Sequence, residues 1–218
     1  MEIETIIGEM ARSDGVTDGP LRQDGQGSLT VTNSHAQFYE QTFRKHVFSV
    51  FTALAGTTIV SGNVAPPAAA AATVISLLNP LGSQKNLEIL RGVLLHISGT
   101  PAAGGWAWCM AYQGVSVTAA EAVAQKGVGF LGQSGTVAKA WSQTALTGGI
   151  VHVNTRLFPS ADIAAALGTT SFGTIDIDEV MGALIVPPGW MLTLAPPGTG
   201  TSHVVAASIE YAEVPLVA

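Results

Sequence analysis

The sequence predicts an all-β fold, a jelly-roll-like antiparallel β-sandwich with short helices in its loops and an extended N-terminal arm. Three observations lead to this prediction. Runs of valine, isoleucine, phenylalanine and threonine recur along the chain, and such residues favour strands. Turn segments rich in glycine and proline separate these runs. Of the 218 residues, 47% are hydrophobic and only 11% are charged, which is typical of a chain that buries a large core.

Residues 1–28 predict an arm followed by a flexible linker, and residues 29–218 predict the sandwich body. The apolar side chains of the arm are spaced i, i+3, i+4 and i+7, at Ile3, Ile6, Ile7 and Met10. This spacing places them on one face of a short helix. Because a helix of about ten residues is not stable alone in water, we expect the apolar face to dock on a neighbouring surface. The alternative is a frayed terminus whose spacing is accidental.

The body carries strand patterns along its whole length. In chain order they lie at 29–32, 47–52, 56–60, 73–78, 87–97, 105–117, 150–157, 183–186, 191–195 and 203–214. Turn sequences lie between them, for example Asn79–Gly82 and Pro187–Gly189, where proline fixes one turn dihedral and glycine accepts a positive one. About eight strands joined by such turns indicate a sandwich or a barrel.

A short helix or turn is predicted after residue 34, running through Phe38, Tyr39 and Phe43, and short helices are predicted within later loops, over 119–125 and 161–167. Ser160 is a suitable N-cap for the last of these, because its hydroxyl can accept a hydrogen bond from a backbone N–H of the first turn. Asp162 would then lie in that turn, where the helix dipole favours an acidic side chain. Asn33 or Ser34 would cap the first helix in the same way.

No catalytic, cofactor-binding or metal site is predicted, and we expect the protein not to be an enzyme. Gly127–Gly132 matches the glycine pattern of a dinucleotide-binding loop, but no clear strand leads into it and no acidic residue follows at the required distance. We interpret its glycines as a loop or a bulge. The five histidines lie far apart in sequence, unlike the closely spaced pair of a cupin-type metal enzyme. His96 and His152 are interpreted as strand residues.

Asp176 and Asp178 belong to a dense acidic cluster and would share one face of a strand. Three interpretations of the pair stay open: ligands of a hard cation such as Ca²⁺, a solvated turn, or a salt bridge to an Arg or Lys of a neighbouring copy. Cys109 lies in an apolar run and is interpreted as a small buried hydrophobe. Trp106 and Trp108 share a strand face that suits core packing.

Charge and terminal composition restrict the partners and the compartment. The net charge is −6, whereas a nucleic-acid-binding surface needs clustered basic side chains, so we expect no nucleic-acid partner. The chain starts with Met1-Glu2-Ile3-Glu4 and lacks the basic and apolar regions of a signal peptide there. Proline, glycine and polar residues interrupt its uncharged stretches, which argues against a membrane span. We therefore expect synthesis in the cytoplasm and no membrane partner.

Several stretches resemble structural proteins of tailed-bacteriophage virions, namely His35–Glu40 with Val47–Ser49, Leu78–Leu87, and Val186–Trp190. The resemblance implies a jelly-roll virion component made in the host cytoplasm, either a capsid decoration or cement protein or a tail-associated protein. It also implies a homo-oligomer, a trimer, whose partners are its own copies and the major capsid or tail proteins.

The apolar pattern agrees with assembly. Val186–Ala195 and Val204–Ala207 are apolar at both odd and even positions, so we expect something to cover the second face of these strands. We infer a symmetric homo-oligomer, and the main prediction is a non-enzymatic virion structural protein. Two alternatives stay open. One is a receptor- or glycan-binding tail-fibre or lectin-like module with an exposed aromatic or acidic cluster at one end of the sandwich, and the other is a metal-dependent cupin-like enzyme.

Overall fold

Two antiparallel β-sheets pack face to face in the computed structural model, which describes residues 38–59, 64–67, 73–112, 128–129, 135–142, 151–162 and 174–216. The elements of these residues are α1 (Tyr39–Phe43), β1 (Val47–Phe51), β2 (Thr57–Thr58), β3 (Ile75–Leu78), β4 (Lys85–Thr100), β5 (Gly104–Tyr112), β6 (Val128–Gly129), β7 (Lys139–Trp141), β8 (His152–Asp162), β9 (Ile175–Val186), β10 (Trp190–Ala195) and β11 (Thr201–Pro215). No helix in the described ranges has the length and apolar character that a membrane span requires. The prediction of an all-β sandwich is confirmed.

The strand order makes the sandwich a jelly roll. The six-stranded sheet has the order β6-β1-β11-β4-β9, with β2 also paired to β11, and the five-stranded sheet has the order β7-β3-β10-β5-β8. The longer strands pair antiparallel as β1 with β11, β3 with β10, β4 with β9 and β5 with β8. Among the described strands, the first therefore pairs with the last. The pairs nest inwards along the chain while they alternate between the sheets, which is jelly-roll topology.

The core lies between the sheets and is built from alternate residues of each strand. Leu94 and Ile209 point into it from the six-stranded sheet, and Trp106 and Trp108 point into it from β5. All four are fully buried, which confirms the interpretation of the two tryptophans. A Cβ atom at Gly92 of β4 would lie 2.4 Å from Trp108 Cζ2. Gly92 therefore leaves the space that the indole ring fills.

Strand β10 is buried on both faces, as its sequence predicts, but the chain itself supplies the cover. Leu194 points into the core between the sheets. Ala195 points to the outer side of the five-stranded sheet, where it forms a second apolar cluster with Ala107 and Cys109, and Ala65 packs against this cluster. Burial of this face therefore needs no second copy of the chain.

One local prediction is wrong. The helix predicted over 161–167 does not begin where expected, because Ser160 and Asp162 both lie in β8. Ser160 is not an N-cap, since its hydroxyl donates a 2.7 Å hydrogen bond to Asp176 Oδ2 on β9. In the glycine-rich segment 127–132, residues 128 and 129 form the two-residue strand β6, which pairs with β1, and the other four residues lie outside the described ones.

The first predicted helix is confirmed as α1. Other predictions fall outside the described residues: the arm with Ile3, Ile6, Ile7 and Met10, the linker to residue 28, the strand at 29–32, the caps Asn33 and Ser34, the helix at 119–125, and residues 163–167 of the last helix.

Candidate functional site

The outer face of the six-stranded sheet presents apolar side chains, where an antiparallel sheet usually presents polar ones. The register aligns Phe51, Ser208, Val93 and Ile177 in one row across four strands, and it places Ala206, Leu95 and Ile175 in the next row. We call the apolar members of both rows the outer apolar face: Phe51, Val93, Leu95, Ile175, Ile177 and Ala206. On the edge strand β9, Ile175 and Ile177 are 61% and 49% exposed.

A row of charged side chains borders the outer apolar face. Arg91 on β4 lies between Glu210 on β11 and Glu179 on β9. Its Nε is 2.8 Å from Glu179 Oε1, and its Nη1 is 3.9 Å from Glu210 Oε2. Burial raises the pKa of Glu210, while the positive charge of Arg91 opposes the rise. Because one cation serves two acids, this row makes the border of the apolar face acidic.

Polar side chains between the sheets connect β8 to β9 at the edge of the sandwich. We call this group the polar seam: Trp108, Arg156, Ser160, Asp176, Asp178, His96 and His203. Asp178 is buried, and its Oδ2 accepts a 2.8 Å hydrogen bond from Trp108 Nε1 while its Oδ1 lies 2.9 Å from Arg156 Nη2. The carboxylate thus satisfies a buried indole N–H and carries its charge beside a guanidinium, which offsets the cost of burying it.

The positions of Asp176 and Asp178 test two of the three interpretations of the acidic pair. Both residues lie within β9 on its inner face, so the shared face is confirmed and the solvated turn is wrong. The salt bridge exists, but it joins Asp178 to Arg156 of the same chain and not to a neighbouring copy. Among the residues described in the structure, no group of three or more His, Cys, Asp and Glu side chains is placed to hold a metal ion.

The polar seam continues from Ser160 through Asp176 to two stacked histidines in the core. Asp176 Oδ2, which accepts the Ser160 hydroxyl, lies 3.1 Å from His96 Nε2, and His96 Nδ1 lies 3.0 Å from His203 Nε2. The two imidazole rings are nearly parallel, with centroids 5.2 Å apart, and Trp106 packs edge-on against both. Burial, helped by the charge that His96 can carry, lowers the pKa of His203 to about 4. His203 is therefore uncharged at neutral pH.

Sequence reasoning missed the His96–His203 pair. The two residues are 107 positions apart, and only the pairing of β4 with β11 brings them together. A single sequence contains no signal for that pairing. The interpretation of His96 and His152 as strand residues is confirmed, and His152 lies on the outer side of the five-stranded sheet with its Nε2 3.4 Å from Thr193 Oγ1.

Cys109 is buried, which confirms its interpretation as a small buried hydrophobe. Its Sγ lies 3.1 Å from Asn154 Oδ1, and burial raises the pKa of its thiol to about 12. Because the thiolate is the reactive form of cysteine, burial keeps this thiol protonated and weakly reactive at neutral pH.

An aromatic pair lies at one end of the five-stranded sheet. Tyr112 at the end of β5 is exposed, and its ring centroid is 5.6 Å from that of Trp190 at the start of β10. A tyrosine that is held against a second ring presents a flat apolar surface with a polar tip.

Comparison of the whole chain with protein-family models, with curated proteins and with solved structures found no match. Its fold and its surfaces are therefore the basis for a functional proposal.

Proposed function

We propose that this protein is a non-enzymatic structural subunit of a virion, which assembles with its own copies as a homotrimer and attaches to the capsid or tail of a bacteriophage particle. The observation that supports this proposal best is the outer apolar face. Jelly rolls are frequent in viral capsid proteins and also occur in lectins and cupins, so the fold agrees with the proposal by analogy and does not select it.

The outer apolar face supports self-assembly because it leaves two rows of aligned hydrophobic side chains in contact with water. Full burial of an isoleucine side chain stabilises by roughly 1.5–3 kcal/mol. Ile175 and Ile177 are 61% and 49% exposed. Covering them with a neighbouring subunit would therefore supply about half of this stabilisation for each side chain. Both lie on β9, at the edge of its sheet, where a neighbouring subunit can approach without obstruction from a further strand of that sheet.

The proposed arm adds a second attachment. Residues 1–24 contain six acidic residues and two arginines, whereas the segment 40–156 contains seven basic and three acidic residues. These opposite charges favour docking of the arm, through Ile3, Ile6, Ile7 and Met10, on a neighbouring copy or on the particle.

Analytical ultracentrifugation of the full chain tests the assembly. The wild-type protein is expected to sediment as an oligomer, and the Ile177→Asp variant is expected to dissociate, because it places a charge within the apolar rows. Leu157→Asp is the matched control, since Leu157 is a similar aliphatic residue that is 78% exposed on the other sheet. It should leave the oligomer intact. Circular dichroism verifies that both variants are folded.

Two results would refute self-assembly through this face. One is a wild-type chain that stays monomeric at high concentration. The other is an Ile177→Asp variant that is folded and associates as strongly as the wild type.

A second candidate function is binding of a receptor or glycan, and the exposed Tyr112 beside Trp190 favours it. A sugar ring stacks on such a surface through its apolar C–H groups. Binding of the wild-type chain to a glycan array, lost in Tyr112→Ala, would support this function over a purely architectural one. Absence of binding by the wild type would remove it.

A further inference from the structure

When both imidazoles of the buried His96–His203 pair are neutral, each of their ring N–H groups has an acceptor. Ionised Asp176 accepts hydrogen bonds from Ser160 Oγ and from His96 Nε2, so neutral His96 has no proton on Nδ1. That Nδ1 lies 3.0 Å from His203 Nε2 and accepts its N–H. His203 Nδ1 is then unprotonated. These tautomers follow from the hydrogen-bond partners, and they give each N–H of the pair an acceptor.

A second proton on His203 leaves a ring N–H without an acceptor. His203 Nδ1 is buried and has no hydrogen-bond partner within the part of the chain that the structure describes, so a proton added there becomes an unsatisfied buried donor. Unsatisfied buried donors are strongly unfavourable.

Among the described residues, no carboxylate contacts His203 to stabilise a second proton on its ring. Asp176 on β9 contacts His96, and Asp178 on the same strand is already paired with Arg156 on β8. From β5, the ring of Trp106 packs against both imidazoles. In agreement, the pKa of His203 falls from its ordinary 6.5 to about 4, chiefly through burial.

The direction of the pH effect follows from this lowering of the pKa. An opened structure, in which water reaches His203, takes up a proton near the ordinary imidazole pKa, whereas the closed structure does not. The closed structure therefore loses stability as the pH falls from about 6.5 towards 4.

We propose that the His96–His203 pair is an acid-sensitive latch, which holds the β8–β9 edge of the sandwich closed at neutral pH and opens it when His203 takes up a second proton. The pair reaches this edge through Asp176, which joins His96 on β4 to Ser160 on β8. When the rings move towards water, this connection between the two sheets breaks. The latch is independent of the proposed assembly, because its members lie between the sheets and not on the outer apolar face.

Hydrogen–deuterium exchange of the full chain, read by mass spectrometry at about pH 7.5 and about pH 5.5, one unit on each side of the ordinary imidazole pKa, tests the latch. After correction for the intrinsic exchange rate, peptides from β8 and from residues 175–180 of β9 should open about tenfold more often at the lower pH. Peptides from β3 and β10 should keep their protection. Equal protection of β8 and β9 at both pH values, or an equal loss over both sheets, would overturn the proposal.

His203→Gln is the informative variant, because an amide can donate to His96 Nδ1 at neutral pH and can turn its oxygen to accept from protonated His96. The acid-induced opening at β8 and β9 should disappear in this variant. His152→Gln is the matched control, a buried histidine outside the polar seam, and it should keep the wild-type response. A folded His203→Gln chain that opens like the wild type would contradict the latch. If that variant does not fold, the wild-type exchange pattern still decides.

Discussion

Removal of the Asp178 carboxylate should destabilise the fold, because the indole N–H of Trp108 donates its hydrogen bond to this group. In Asp178→Ala the buried Trp108 Nε1 loses the acceptor that lies at 2.8 Å, and an unsatisfied buried donor costs about 1–3 kcal/mol. Arg156 is 41% exposed, so its guanidinium can turn to water and its lost ion pair adds at most about 1 kcal/mol. We expect a total loss of about 1–4 kcal/mol in the free energy of unfolding.

Urea denaturation followed by circular dichroism measures this loss. The protein concentration is kept constant, because assembly adds to the apparent stability. Glu179→Ala is the matched control: the residue is adjacent in β9, it is 41% exposed, and it forms an ion pair with Arg91 on the outer face. Such an exposed pair contributes less than about 1 kcal/mol, so the control should be nearly neutral.

A double variant separates the indole contribution from the ion pair. In a Trp108→Phe background there is no N–H to leave unsatisfied, so Asp178→Ala should cost at least about 1 kcal/mol less than it does in the wild type. The reasoning is refuted if Asp178→Ala costs no more than Glu179→Ala. It is also refuted if the Trp108→Phe background leaves the cost of Asp178→Ala unchanged.

Two further predictions concern the core. Gly92→Ala should lower the free energy of unfolding by about 1–3 kcal/mol, because its Cβ would overlap the indole ring of Trp108 and lie 3.0 Å from Phe158 Cε2. An unchanged urea midpoint would contradict this packing. Cys109 should react with iodoacetamide far more slowly in the native protein than in urea, since burial raises its pKa to about 12, and equal rates in both states would show that the thiol is accessible.

Local sequence patterns were sufficient for most strands of the sandwich. The run of β-branched and aromatic residues at 47–52 corresponds to β1, and the apolar segment 191–195 lies within β10. Both segments lie between turn sequences, and strand preference and turn chemistry agree there. Where local preference and final structure coincide, a single sequence is informative about the fold.

The polar seam could not be predicted because its contacts are made between distant parts of the chain. Ser160 has the local chemistry of a helix cap, yet it lies in β8 and donates to Asp176. Asp176 and Asp178 resemble a solvated turn, yet each has partners on other strands. In both cases a tertiary contact outweighs a local preference.

The sequence of β10 predicts that both faces of the strand are buried, and this prediction is confirmed. It does not indicate which part of the protein covers the outer face. Both faces of the strand are covered, and on the outer side the cover includes Ala65 of the same chain. The distribution of apolar residues over odd and even positions indicates how many faces of a strand are buried. It does not show whether a neighbouring subunit or a loop of the same chain covers them. The case for assembly therefore depends on the outer apolar face of the other sheet.

The nested strand pairing has a consequence for the way this chain acquires its structure during synthesis. Strand β11 lies between β1 and β4, and the hydrogen bond from Ala207 N to Thr52 Oγ1 closes a loop of 155 residues. Until the ribosome has released β11, β1 and β4 have no common neighbour and their apolar sides stay open. Closure of so long a loop is slow, so the nascent chain is exposed to aggregation until β11 is inserted between strands made much earlier.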